Sequence, residues 1–219
     1  SPIIIVPGEP NSIFFEIFFK SLNRLKIKSP IILISSKDLI LTQIKNFKYK
    51  KKINFLNMEN IKYKKLNNTQ LNIVNINNKK FNSQKKILSK SNRYIFNCFE
   101  TAFYIIKKYN FKKFINGPVN KKKFLKKDYL GITEYIAAKF GLTKNAMLIY
   151  NKNLSVCPLT THLPLKYVSK KINKNSIIEK VKLIDNFYKL KIKKKPKIAI
   201  LSLNPHCESI DKFNEDEKI

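Results

Sequence analysis

Residues 3–10 read Ile-Ile-Ile-Val-Pro-Gly-Glu-Pro, a run of four apolar β-branched residues followed by a turn. Such a run predicts a strand buried on both faces, because a strand with one wet face alternates apolar and polar residues. Similar runs cover residues 30–35 (Pro-Ile-Ile-Leu-Ile-Ser) and 53–56. Segments with helical spacing separate them. Strands that alternate with helices in this way indicate an α/β fold with a mostly parallel sheet.

The other elements follow from helix start and stop signals and from shorter apolar runs. We predict helices from Asn11 or Ser12 to about Leu25, over 37–46 with Ser36 as N-cap, from Ser91 to Tyr109, over 131–140 closed by Gly141, and along Ile177–Tyr188. We predict strands near 114–115, at 146–150 and 154–157 as a hairpin, and at 197–203 as a final buried strand. Residues 57–90, rich in Lys and Asn, are interpreted as a surface loop with a short edge hairpin near 71–76.

The charge of the chain allows two interpretations. A formal net charge of +31 over 219 residues first suggests a protein that binds a polyanion. The basic residues are nearly all lysine, however, and Arg24 and Arg93 are the only arginines. Arginine is the residue favoured for bidentate contacts with nucleic acid. The abundance of Lys, Asn, Ile, Phe and Tyr instead indicates A/T-rich codon drift. We therefore expect salt-sensitive contact with polyanions but no specific nucleic-acid partner.

Cysteine usage and hydropathy bear on the compartment. The three cysteines, Cys98, Cys157 and Cys207, are far apart and form no Cys-x-x-Cys pair, which argues against a disulfide framework. The N-terminus lacks the charged start and apolar core of a signal peptide. No stretch approaches the roughly 18 apolar residues that a membrane span requires. We expect a cytoplasmic protein with no membrane partner.

The chain contains two histidines, His162 and His206, and each follows an apolar segment that is predicted to be a strand. Ligands of open α/β sheets collect at the carboxyl ends of strands. Two imidazoles at such ends are candidate metal ligands or proton carriers. Hydrogen-bonded loop histidines are the simpler interpretation, and position alone leaves both open.

Four short motifs carry a family resemblance. They are Asn-Gly-Pro-Val-Asn-Lys at 116–121, Gly-Ile-Thr-Glu-Tyr at 131–135, Thr-Thr-His-Leu-Pro-Leu at 160–165 and Leu-Asn-Pro-His at 203–206. Together with the opening Pro-Gly-Glu-Pro and Glu16, they resemble in order and spacing the 4-hydroxythreonine-4-phosphate dehydrogenase family of vitamin B6 synthesis. The resemblance implies a fold like that of isocitrate and isopropylmalate dehydrogenases, with mostly parallel sheets in two lobes around a cleft, and a homodimer. Residues 1–219 would form a single dehydrogenase domain of two intertwined lobes whose C-terminal part is missing.

The resemblance also implies a reaction. It is the NAD-dependent oxidation of 4-phosphooxy-L-threonine with a divalent metal, which could be zinc, magnesium or cobalt. The 3-oxo acid product loses carbon dioxide to give 3-amino-2-oxopropyl phosphate, on the route to pyridoxal 5'-phosphate. A metal on the substrate hydroxyl lowers its pKa and stabilises the developing alkoxide while hydride leaves. The motifs do not separate this substrate from phosphothreonate-type relatives.

Site residues are implied by the same motifs. His162 and His206 resemble two of the three metal-binding histidines of the family, and Thr133 matches a threonine that contacts the substrate. Asn116 and Lys121 follow a predicted strand end and are candidate substrate-side residues.

The sequence also departs from the family pattern. Ile132 stands where the family has a substrate-binding histidine, and it cannot donate a hydrogen bond. Ser12 and Phe14 replace glycines, which would cost stability if the backbone needed a positive φ there. Glu134 could act as an acid or base or have a structural role. The sequence ends at Ile219, before the positions of the third metal histidine and of further substrate-binding residues of the family.

Three hypotheses therefore remain open. The first is an enzyme that is completed by further sequence or by a partner. The second is a non-catalytic remnant of the family. The third is a basic polyanion-binding protein.

Overall fold

The computed structural model describes residues 1–76, 87–125 and 128–203, with the backbone alone at 87–90. Two compact units can be distinguished in this part of the chain, within Ser1–Phe124 and Leu125–Ile219. The interpretation of the chain as one dehydrogenase domain of two intertwined lobes stays a prediction.

The first unit is built on a five-stranded parallel sheet with the strand order β3-β4-β2-β1-β5. Its strands are β1 (Ile3–Val6), β2 (Ile31–Ser35), β3 (Ile53–Leu56), β4 (Leu71–Asn75) and β5 (Lys113–Asn116). Its helices are α1 (Phe14–Arg24), α2 (Lys37–Asn46), α3 (Ile87–Tyr109) and α4 (Lys121–Phe124), with a 3-10 turn at Tyr63–Lys65. The predicted α/β class with a mostly parallel sheet is confirmed.

The helix α1 supplies much of the core on one face of this sheet. Its four phenylalanines, at positions 14, 15, 18 and 19, are all buried, and this spacing places them on one side of the helix. The Phe19 ring lies 5.0 Å from that of Tyr49, centroid to centroid. Neither Ser12 nor Phe14 has a positive φ. The replacement of glycine at these two positions therefore causes no backbone strain of that kind.

The interpretation of 57–90 as a surface loop is wrong for the segment that forms β4. This strand lies inside the sheet and pairs in parallel with both β2 and β3. Its residues Leu71 to Val74 are all buried. Residues 77–86 lie outside the described part of the chain.

Asn72 interrupts the apolar run of β4, so the sequence pattern does not predict a core strand there. Its side chain is only 2% exposed. The amide nitrogen donates to the carbonyls of Ile31 (3.1 Å) and Asn67 (2.9 Å), and the amide oxygen accepts from Asn54 Nδ2 (2.9 Å). An asparagine whose amide is fully paired can occupy an interior strand, since its burial leaves no polar group unsatisfied.

The second unit contains the helices α5 (Ile132–Lys139), α6 (Val168–Lys171) and α7 (Lys174–Phe187). A 3-10 turn at Leu165–Tyr167 precedes α6, and a wider helical turn at Tyr188–Ile192 follows α7. Gly141, with φ +66°, follows α5 as predicted. The Asn173 side chain caps α7 by accepting from Ser176 N (2.9 Å). The predicted helices of this unit are confirmed within a few residues.

Two strand predictions in the second unit differ from the structure. The hairpin of 146–157 is reduced to one antiparallel bridge, in which Ile149 and Val156 exchange two backbone hydrogen bonds (2.8 and 3.1 Å). The predicted buried strand at 197–203 is wrong, because this segment is not a strand and Leu201 is 85% exposed. An apolar run becomes a strand only beside a partner that completes its hydrogen-bond ladder, and no described segment pairs with it as a strand.

Every helix within residues 1–76, 87–125 and 128–203 is too short or too polar to cross a membrane. Cys98 and Cys157 are both free thiols.

We predict that Asn72→Ala lowers the free energy of unfolding by about 2 kcal/mol, because it leaves buried donors and acceptors without partners. Urea denaturation followed by circular dichroism measures the change. Asn23→Ala, on the exposed side of α1, is the matched control and should stay within about 0.5 kcal/mol of the parent. Equal effects of the two substitutions would contradict a role for the Asn72 amide.

Candidate functional site

The loops that follow β1 and β5 meet at the carboxyl edge of the sheet, because these two strands are neighbours. We call residues 7–10 and 117–120 the loop pair. Glu9 N donates to Pro118 O at 2.8 Å, which joins the two loops backbone to backbone. The loop pair thus lies at the edge where open α/β sheets bind ligands.

The Glu9 carboxylate strengthens the loop pair. It accepts a hydrogen bond from the Ser91 hydroxyl on α3 (2.7 Å) and one from Asn120 N (3.3 Å). Sequence reasoning found Glu9 through its motif but missed Ser91. The two residues are 82 positions apart, so no local pattern signals their contact.

Two glycines allow the close approach of the loops. A Cβ on Gly117 would lie 1.9 Å from Pro7 O, and a Cβ on Gly8 would lie 2.2 Å from Pro118 O. Gly8 also has φ +77°, in the left-handed region that favours glycine. Both positions therefore exclude any larger residue.

Asn116 and Lys121 lie at the two ends of the second loop. Asn116 is half-buried and its amide donates to Gly117 O (3.0 Å), whereas Lys121 is exposed and begins α4. Both are at the carboxyl edge of the sheet, where the motif placed them. Their role toward a substrate stays a prediction.

A second cluster lies in the other unit, at the start of α5. The His162 ring approaches Gly131, so that a Cβ on this glycine would lie 3.1 Å from His162 Nε2 and 3.0 Å from Cδ2. The Thr161 hydroxyl donates to Glu134 Oε1 (3.1 Å), which ties the loop before His162 to the first turn of the helix. The motifs at 131–135 and 160–165 are thus brought together in space.

The exposure of the cluster residues differs. His162 is exposed and has φ +58°, a left-handed conformation that is uncommon outside glycine. Thr133 is exposed in the first turn of α5, and Ile132 is half-buried beside it. In sequence, both residues lie between Gly131 and Glu134, which contact His162 and Thr161 respectively. Their contact with a substrate stays a prediction.

The donor set in this cluster fits a divalent metal only in part. An exposed imidazole beside the Glu134 carboxylate offers ligand types that zinc and cobalt accept. Within the described residues, no group of three or more His, Cys, Asp or Glu side chains could hold a metal ion. His206, the other predicted ligand, lies outside the described residues together with Cys207.

The described cysteines do not add a nucleophile. Burial raises the pKa of the Cys98 thiol, which packs beside Tyr94 in the core. Burial also raises the pKa of Cys157, and the nearby charge of Lys180 opposes this shift. Thiols with raised pKa values are poor nucleophiles near neutral pH.

A match to a known sequence family establishes which family the chain belongs to. The sequence model described as "Pyridoxal phosphate biosynthetic protein PdxA" matches residues 26–219. The chain belongs to the PdxA family. The resemblance inferred from the four motifs is thereby confirmed.

Individual PdxA relatives agree with this assignment. The chain is 30% identical over 226 residues to the 4-hydroxythreonine-4-phosphate dehydrogenase of Sulfurihydrogenibium sp., covering 99% of this chain and 67% of the relative. It is 32% identical over 214 residues to that of Wigglesworthia glossinidia brevipalpis, covering 94% and 63%. The solved structure of the Burkholderia phymatum protein of that name has a TM-score of 0.77 at 17% identity, covering 99% and 67%. The chain therefore spans about two thirds of the length of these PdxA relatives.

We predict that Gly117→Ala destabilises the protein by about 3 kcal/mol, since the new methyl group would overlap Pro7 O. Thermal and urea unfolding measure the loss. Gly141→Ala is the matched control, because φ is +66° there but no atom lies within 4 Å of the added Cβ. It should cost only about 1 kcal/mol. A larger loss at Gly141 than at Gly117 would contradict the steric account of the loop pair.

Proposed function

We propose that the protein is an NAD-dependent and divalent-metal-dependent 4-hydroxythreonine-4-phosphate dehydrogenase of pyridoxal 5'-phosphate biosynthesis. It would oxidise 4-phosphooxy-L-threonine to a 3-oxo acid that decarboxylates to 3-amino-2-oxopropyl phosphate. The proposal rests on membership of the PdxA family and on the names of its relatives. We further propose that it acts in the cytoplasm as a homodimer.

The observation that carries the proposal is the His162 cluster. Two family motifs that are separate in sequence meet where the imidazole lies against Gly131, beside Thr133 at the start of α5. In this position His162 can bind a cation, while the Thr133 hydroxyl can bind the polar groups of a substrate. The backbone N–H groups at the start of α5 favour a negatively charged group there.

Other residues have supporting roles in this proposal. Asn116 and Lys121, at the carboxyl edge of the sheet, would bind polar and anionic groups of the substrate. His206 would be a second metal ligand. The high lysine content favours the approach of a phosphorylated substrate, since a net charge of +31 attracts anions over long range.

A divalent metal and NAD would supply the redox chemistry. A divalent metal held by His162 would lower the pKa of the substrate hydroxyl, and NAD would serve as the hydride acceptor. The protein residues bind and orient the substrate around them.

One competing function has support in a specific residue. A non-catalytic member of the family is favoured by Ile132, since an apolar side chain there removes a hydrogen-bond donor from the substrate site.

Binding to polyanions is a third candidate that rests on charge alone. A steep loss of binding with added salt and no sequence preference would identify non-specific contact.

We predict that His162→Ala and His206→Ala each lower metal-dependent reduction of NAD by about 100-fold or more, because a site with a ligand removed holds its metal weakly. NADH absorbance with 4-phosphooxy-L-threonine and added Co²⁺ measures the rate. Asn153→Ala, in an exposed turn, is the control and should keep the parent rate. Parent-like turnover in either histidine variant would refute its metal assignment.

We predict that Ile132→His lowers the KM for the phosphorylated substrate by about tenfold, because a hydrogen bond to a charged group is restored. Steady-state kinetics at fixed NAD and metal measure the change. Ile132→Leu is the matched control, since it changes shape without adding a donor. An unchanged KM in the histidine variant would contradict a substrate-binding role for position 132, and the absence of turnover in every variant would favour the non-catalytic alternative.

A further inference from the structure

The two carboxylate oxygens of Glu134 have different surroundings. Oε1 accepts a hydrogen bond from the Thr161 hydroxyl at 3.1 Å. Oε2 is fully shielded from solvent, and no hydrogen-bond donor is paired with it in the described part of the chain. A buried carboxylate oxygen without a donor is costly, so proteins normally match such an oxygen with a donor.

The position of Oε2 indicates which donor would match it. Oε2 lies 2.7 Å from the point that a Cβ on Gly131 would occupy, and His162 Nε2 lies 3.1 Å from the same point. The oxygen and the imidazole therefore border one small space. This space exists because residue 131 is a glycine.

The backbone on either side restricts how the imidazole can turn. Thr161, the residue before His162, is held to Glu134 Oε1. His162 itself has φ +58°, a conformation that costs free energy and persists only where the surroundings impose it. Both features keep the ring near the Glu134 carboxylate.

We propose that Glu134 is a positioning residue for His162. Its Oε2 is the acceptor for the N–H of one ring nitrogen, and this hydrogen bond fixes the tautomer and ring orientation in which the other nitrogen binds a divalent cation. Ligating histidines commonly donate their second nitrogen to a carboxylate in this way. Glu134 contacts neither substrate nor cofactor in this role. The inference rests on the proposed function, in which His162 is a metal ligand.

The Glu134→Gln variant tests the proposal, because glutamine keeps an oxygen that can accept from Thr161 but presents an NH₂ group in place of Oε2. We expect the affinity for Co²⁺ alone, measured by calorimetry on the purified protein, to fall about tenfold or more. The urea midpoint should stay at the parent value, since the tie to Thr161 survives. Asp38→Asn, an exposed residue in the first turn of α2, is the control for lost charge and should bind Co²⁺ like the parent.

A second readout needs no metal. In the metal-free protein, a ring N–H of His162 that is bonded to Oε2 exchanges slowly with water and gives a visible nitrogen-15-edited NMR signal. With only two histidines in the chain, His162→Ala identifies that signal. We expect the signal to be lost in Glu134→Gln and to remain in Asp38→Asn.

The outcomes separate this inference from the proposed function. If His162→Ala loses Co²⁺ but Glu134→Gln binds it like the parent, the positioning role is refuted and the metal assignment stands. If His162→Ala binds Co²⁺ like the parent, the metal assignment of the proposed function fails, and the inference fails with it. Loss in both variants, with an unchanged urea midpoint in Glu134→Gln, supports both.

Discussion

The contact between the loops after β1 and β5 is the constraint on which the first unit depends. Gly8 and Gly117 let two backbones approach more closely than any side chain would permit. The Glu9 N to Pro118 O hydrogen bond then fixes their separation. This contact holds β5 in register beside β1, and it lets Phe14 of α1 pack directly against Gly117. The Glu9 carboxylate extends the same constraint to α3 through Ser91.

The chain is rich in asparagine, and the fold accommodates asparagines in or near its interior by hydrogen-bonding their side-chain amides. Asn72 is buried in a central strand with every amide group bonded. The half-buried Asn68 is paired in a similar way at the start of β2, where it donates to Ile27 O and Ser29 O and accepts from Ile31 N. An asparagine is tolerated inside a fold where the backbone supplies its partners. Lysine is rarely buried without an ionic partner, and every lysine whose side chain the structure describes is exposed or half-buried.

The cluster around His162 also depends on a close approach that only glycine allows. Glycine at 131 admits the His162 ring to the start of α5, and the first turn of that helix presents Thr133 and Glu134 nearby. This arrangement joins two motifs of the PdxA family within one unit of the chain. Ile132, between Gly131 and Thr133 in sequence, is the position in this motif that departs from the family resemblance. The cluster therefore keeps the imidazole that we propose as a metal ligand, and it carries an apolar side chain at 132 where the motif resemblance implies a hydrogen-bond donor.

The sequence by itself determined the α/β class, the central strands β1 and β2, most helices and the family, because these depend on local periodicity and on motif order. It misassigned β4, since a polar residue at 72 breaks the apolar run and only the surrounding carbonyls satisfy its amide. It also placed a buried strand at 197–203, where apolar composition cannot supply a neighbouring strand. The sequence named His162 as a ligand candidate but left Glu134 with an open role. Only the tertiary structure decided that the Glu134 carboxylate borders the His162 ring, because a contact across 28 residues depends on how the chain folds back and not on local pattern.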